Sequence, residues 1–123
     1  MKFYKLIIPK GFRGSAAELS GGCGSDGALF DYVPDNFLGV DISLCCKIHD
    51  YLYTIGLTEE DKVLADKMFY KNLVRCVEND SPLIFKTTNL WLAKKYYQAV
   101  RDFGADSFWD GKQRPVKSLV LAT

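Results

Sequence analysis

Apolar and polar positions keep a helical period over three stretches of the chain and lose it over roughly the first forty residues. Asp41 to Ile55 is predicted as a first helix, with Asp41 or Ser43 as its cap and Gly56 as its stop. Thr58-Glu59-Glu60-Asp61 has the form of a capping box with acids in the first turn. It opens a second helix that runs to about Glu78. Asn79-Asp80-Ser81-Pro82 reads as a turn, with Ser81 capping and Pro82 beginning a third helix that stops at Gly104 after Phe103. Phe3 to Ile8 is expected to form a short edge strand, and Gly11 to Gly39 a long glycine-punctuated loop. Loops of that length inside a compact domain are usually functional or tied down. The tail from Ala105 carries Phe108, Trp109 and a Val-Leu-rich end without a clear period. These elements predict one mainly α domain over 1–123: an N-terminal segment and loop (1–40), a three-helix core (41–104) and a tail (105–123).

The second helix carries an anomaly. Val63, Tyr70, Leu73 and Val77 fall within about 60° of Asp66 at about 100° per residue, while Lys67, Lys71, Arg75 and Glu78 form a separate polar stripe. Asp66 is therefore expected on the buried face, where a carboxylate needs a partner.

Composition narrows the setting. Hydrophobic residues at 48% and aromatics at 14% are enough for a packed core, which excludes a disordered chain. No apolar run approaches the roughly 18 residues of a membrane span. Lys2, Lys5, Lys10 and Arg13 interrupt the N-terminal stretch, so no signal peptide is expected there; cytoplasmic synthesis fits, with export by a non-standard or phage-associated route as the alternative. All fifteen acids lie between Glu18 and Asp110, and the flanking ends are basic. An acidic middle suits a divalent cation and basic ends suit an anionic membrane surface, although solvated termini alone also explain the pattern. The bases are not clustered with stacking aromatics, which argues against nucleic acid. Four cysteines, Cys23, Cys45, Cys46 and Cys76, permit two disulfides, free thiols or zinc ligation.

His49 is the only histidine, so any imidazole chemistry runs through it. Asp50 follows it, about 100° away around the helix, and so serves a different partner. A carboxylate aimed at a glycine-rich loop is a reasonable calcium ligand, since calcium takes carboxylate and carbonyl oxygens. The run Gly21-Gly22-Cys23-Gly24-Ser25-Asp26-Gly27 could supply those carbonyls. Asp66 and the sole imidazole have complementary needs: a carboxylate on one ring nitrogen fixes the tautomer and leaves the other as base.

Cys45-Cys46-x-x-His49-Asp50-x-x-Tyr53 resembles the active-site helix of the secreted phospholipases A2. Three more segments are similar to the bacterial and fungal branch of that superfamily: Pro34-Asp35-Asn36-x-x-Gly39, Asp66-x-x-Phe69-Tyr70 with Arg75-Cys76, and Tyr96-Tyr97-Gln98-Ala99-Val100-x-x-Phe103-Gly104. Order and spacing agree over residues 34 to 104. The resemblance implies a phospholipase A2-like fold of two long antiparallel, disulfide-linkable helices, a third helix and a calcium loop. It makes His49 the general base, Asp66 its orienting carboxylate and Tyr53 a member of the same network, with Tyr96 or Tyr97 helping. It assigns Ca2+ to Asp50, with Gly22, Gly24 and Asp26 as loop ligands. Cys23 and Cys46 match a common disulfide of the superfamily, and Cys45–Cys76 is a candidate second pair or two free thiols. Ser25 and Asp26 depart from the usual glycine pattern of the loop, and the partner that the bacterial relatives supply to Cys76 is missing.

The implied reaction is calcium-dependent hydrolysis of the sn-2 ester of a glycerophospholipid at a membrane or micelle surface, with Phe37, Leu38, Phe108 and Trp109 as candidates for acyl-chain contact. No Gly-x-Ser-x-Gly elbow suggests a serine nucleophile instead. Two rivals stand beside this reading. One is a catalytically silent calcium- or membrane-binding member of the same fold. The other is a zinc-stabilised module using Cys23, Cys45 or Cys46, His49 and Cys76, whose spacing lacks paired C-x-x-C ligands.

Overall fold

A computed structural model describes residues 6–12 and 34–113. Strands β1 (Asn36–Phe37) and β2 (Val40–Asp41) pair antiparallel, Asn36 opposite Asp41 and Phe37 opposite Val40. Helices α1 (Ser43–Ile55), α2 (Glu59–Asp80), α3 (Lys86–Phe103) and α4 (Ala105–Trp109) follow, with a 3-10 turn over Leu83–Phe85 before α3. The described chain is mainly helical. Strand β1 falls in the stretch predicted as loop and β2 takes Asp41, predicted as the start of the first helix; two-residue strands are too short to show an alternating period. Gly39 makes its turn at φ 75°, a conformation that L side chains rarely adopt. Leu6 to Ile8 forms no strand, and the rest of that predicted strand lies outside the described residues.

The helix boundaries follow local chemistry. The Asp41 carboxylate accepts from the Ser43 backbone N–H at 2.8 Å and the Ser43 hydroxyl at 2.6 Å, so Asp41 serves the first turn from within β2. Helix α1 begins two residues later than expected. The capping box of α2 forms as the sequence indicates: Asp61 N–H bonds Thr58 Oγ1 at 3.0 Å, and Asp61 Oδ2 accepts from Thr58 N–H at 3.2 Å and Leu57 N–H at 2.9 Å. At the α2–α3 turn, Ser81 and Pro82 are both extended. Pro82 therefore leads a tight 3-10 turn, with Phe85 N–H bonding its carbonyl, and α3 starts at Lys86 instead of Pro82.

The contacts between helices run in opposite senses along the chain. Cys45 meets Cys76, while His49 and then Tyr53 meet Asp66, so α1 and α2 are antiparallel. Lys62 reaches Val100 and Tyr70 stacks on Tyr97, which makes α2 and α3 antiparallel as well. Helix α2 lies in the middle, and the main core forms around Ile42, Ile48, Phe69, Leu73, Val77, Ala93 and Val100. Its buried face (Lys62, Ala65, Asp66, Phe69, Asn72, Leu73, Cys76, Val77) is turned about 50° from the predicted one, so Asp66 sits toward one edge and Val63 is exposed. A second cluster joins Tyr53, Ala65, Phe108 and Trp109.

Two buried asparagines dock the segments that precede the helices. Asn72 of α2 accepts from Ile7 N–H at 2.6 Å and donates to Ile7 carbonyl at 3.0 Å. Asn89 of α3 does the same for Leu38, at 3.0 and 2.8 Å, and also donates to Ser81 Oγ at 2.9 Å. Each carboxamide satisfies both polar groups of one residue, as a neighbouring strand would.

Candidate active site

Helix α1 carries His49 and Tyr53 one turn apart, and both face α2. His49 Nε2 lies 2.8 Å from Asp66 Oδ1, and Tyr53 donates its hydroxyl to the same oxygen at 2.6 Å. All three side chains are buried, His49 and Asp66 at 2% exposure. The imidazole also packs against the rings of Tyr53 and Phe69, with centroids 4.1 and 4.5 Å away. With Asp66 on Nε2, the ring carries its proton there when neutral, and Nδ1 is the basic nitrogen.

Electrostatics agree with that assignment. Burial pushes the His49 pKa down from its ordinary value, and although Asp66 pulls it back up, the net direction is downward, so the ring is neutral at pH 7. Burial works to raise the Asp66 carboxyl, but the bonds from His49, Lys62 and Tyr53 outweigh it and hold the group below the ordinary carboxylate range. Burial, with the Asp66 charge beside it, pushes the Tyr53 phenol up, so it stays protonated and donates.

Lys62 completes the cluster, and the sequence reading missed it. Its Nζ lies 2.8 Å from Asp66 Oδ2, and it also donates to the carbonyls of Val100 at 3.1 Å and Arg101 at 3.4 Å. The signal was available: Lys62 precedes Asp66 by four residues on the same helical face. Gly104 contributes by what it lacks. Its φ of −83° suits any residue, but a Cβ there would come within 2.5 Å of Tyr53 Oη, so the absent side chain seats the phenol. Behind Tyr53, the Phe108 ring packs edge-on at 5.2 Å, and Lys112 donates to the Tyr53 carbonyl.

The remaining expected residues are placed differently. Tyr96 donates to the Pro34 carbonyl at 2.9 Å and packs on Phe37, while Tyr97 stacks on Tyr70 at 5.0 Å. They brace the hairpin and α2, and neither is bonded to Asp66. Of the four acyl-chain candidates, Phe37, Phe108 and Trp109 are core residues, and Leu38 is exposed. Cys45 and Cys76 are free thiols with sulfurs 3.3 Å apart, both buried between α1 and α2. Their mutual hydrogen bond holds the Cys45 thiol protonated and eases the Cys76 thiol down. Cys46, by contrast, is not among the free cysteines.

Asp50 is half-exposed on α1, one position beyond His49, and its carbonyl accepts from Thr54 Oγ1 at 2.9 Å. Gly22, Gly24, Asp26 and Cys23 lie outside the described residues. Among the described residues no three His, Cys, Asp or Glu side chains converge as a metal-binding group. Asp50 as a hard oxygen donor does suit calcium, which takes much of its shell from backbone carbonyls.

Comparison with protein-family models, with curated proteins and with solved structures finds no match, so the assembled His49–Asp66–Tyr53–Lys62 cluster is what a functional reading has to rest on.

Proposed function

We propose that this chain is a phospholipase A2-like hydrolase that cleaves the sn-2 ester of glycerophospholipids in the presence of calcium, at a membrane or micelle surface. The observation that supports this reading most is the buried 2.8 Å pair of His49 Nε2 and Asp66 Oδ1, with Tyr53 on the same oxygen. A buried carboxylate behind a neutral imidazole is what a general base requires. His49 Nδ1 takes a proton from water, whose oxygen forms the new bond to the ester carbonyl carbon. The bond to the glycerol oxygen then breaks, and the proton held on the imidazolium passes to that leaving oxygen. Asp66 stabilises the imidazolium between those two transfers and stays ionised throughout. Asp50 is the described candidate for holding calcium, with Gly22, Gly24 and Asp26 proposed as its loop partners and a Cys23–Cys46 bridge fixing the loop. When bound, calcium supplies polarisation of the ester carbonyl and charge stabilisation at its oxygen. No particular observation favours the zinc module or the silent relative.

Fatty-acid release from phospholipid vesicles tests the proposal. Wild type is expected to turn over only with calcium, and both His49→Ala and Asp50→Asn to lose turnover while keeping the helical circular-dichroism signal. Calcium-independent release, or equal rates for wild type and His49→Ala, would sink it.

A further inference from the structure

Among the described residues Lys62 is the only buried lysine, at 6% exposure. An ammonium is driven from water into a core only when its charge is balanced and its protons are bonded. Here both conditions are met from different helices. Asp66 Oδ2 supplies the charge from α2, and the carbonyls of Val100 and Arg101 supply acceptors from the last turn of α3. A cation is favoured at that helix end in any case. The two carboxylate oxygens are thereby divided, Oδ2 to Lys62 and Oδ1 to His49 and Tyr53. With Lys62 protonated and Asp66 ionised, the cluster is electrically neutral while the phenol and imidazole are uncharged. Without the ammonium, Asp66 would be a buried anion facing neutral donors only, and taking up a proton would be its easiest relief.

We propose that Lys62 is a positioning residue of this site: its ammonium, anchored on the α3 carbonyls, holds Asp66 as a carboxylate with Oδ1 turned to His49 and Tyr53. Among the described residues, the other charged or titratable groups around the cluster are Asp50 on α1, the exposed Arg101–Asp102 pair on α3, and Lys112 after α4. None of them is bonded to Asp66 Oδ2, so none replaces Lys62. The kinetic consequence rests on the proposed hydrolase reading; the state of Asp66 does not.

Lys62→Gln separates charge from structure, because the amide can still donate to the α3 carbonyls, and Lys62→Arg restores the charge. The readout is the carboxyl-carbon NMR resonance of Asp66 in the full chain, identified by its loss in Asp66→Asn and followed against pH. Lys62→Gln is expected to raise the Asp66 midpoint by about one pH unit or more, with Lys62→Arg staying near wild type. A midpoint unmoved in Lys62→Gln, or an Arg variant that behaves like Gln, overturns the proposal. Should Lys62→Gln fail to fold, the wild type still decides. Its Lys62 ammonium protons are expected to be protected from exchange and to lose that protection in Asp66→Asn, so rapid exchange in wild type overturns the assignment. In the vesicle assay, Lys62→Gln is expected to lower kcat with KM unchanged and Lys62→Arg to recover most of it; full kcat in Lys62→Gln overturns the positioning role. Absence of release by wild type counts against the hydrolase reading and leaves the Asp66 midpoint to decide on Lys62.

Discussion

His49 and Asp66 were legible in the sequence because each carries a demand that the chain can meet in few ways. A carboxylate on an apolar helical face needs a donor, and there is one imidazole. Gly104 shows the opposite case. As a helix stop it is legible, but the reason for glycine is a phenol from another helix, 51 positions earlier, and no local pattern records that. Gly104→Ala should cost about 1–3 kcal/mol in stability, the usual range for overpacking a filled core. It should also slow turnover, because the displaced Tyr53 hydroxyl leaves Asp66 Oδ1. Part of the clash is with that hydroxyl and part with the Val100 carbonyl. Tyr53→Phe should therefore recover some of the lost stability in the double variant, giving a coupling of roughly 0.5 kcal/mol or more in a double-mutant cycle. Strict additivity would show that Gly104 does not act through Tyr53.

Elements with capped ends and a sustained period were readable, and those fixed by single side chains from afar were not. The α2 capping box stands where Thr58 and Asp61 indicate, since all its partners lie within four residues. The hairpin was not foreseen, because a main tie holding it is Asn89, 51 positions from Leu38. The 65 positions between Ile7 and Asn72 hide that tie in the same way. These two kinds of support should differ in energy. Thr58→Ala removes one solvent-exposed cap and is expected to cost about 1 kcal/mol. Asn89→Ala strips three hydrogen bonds from a fully buried position, leaving Leu38 polar groups without that partner, at about 1–3 kcal/mol for each group left unsatisfied. Urea midpoints at unchanged slope should rank Asn89→Ala well below Thr58→Ala. The reverse order would mean that the hairpin is dispensable to the fold.

At the scale of the whole molecule, the site and the stability of the fold are linked through protons. His49 has a folded pKa below its ordinary 6.5, so as pH falls the unfolded chain binds a proton that the folded chain refuses. Stability should therefore be flat near neutrality and decline once pH drops below about 6.5, with a limiting slope of about 1.4 kcal/mol per pH unit for one proton. Asp66 has a depressed pKa as well, and its contribution is present above the ordinary 3.8 and lost as pH falls from there through its folded value. Asp41, Asp61 and Asp102 are lowered too and share that acidic window, so the second decline belongs to several groups. The first decline belongs to one, because the chain has a single histidine. His49→Gln removes the titrating ring while keeping a donor for Asp66. Its urea midpoint should hold level between about pH 7 and pH 5, where the wild-type midpoint falls. Parallel curves for the two proteins would mean that burial does not disfavour the imidazolium in this core, and the neutral resting state assigned to the base would have to be given up.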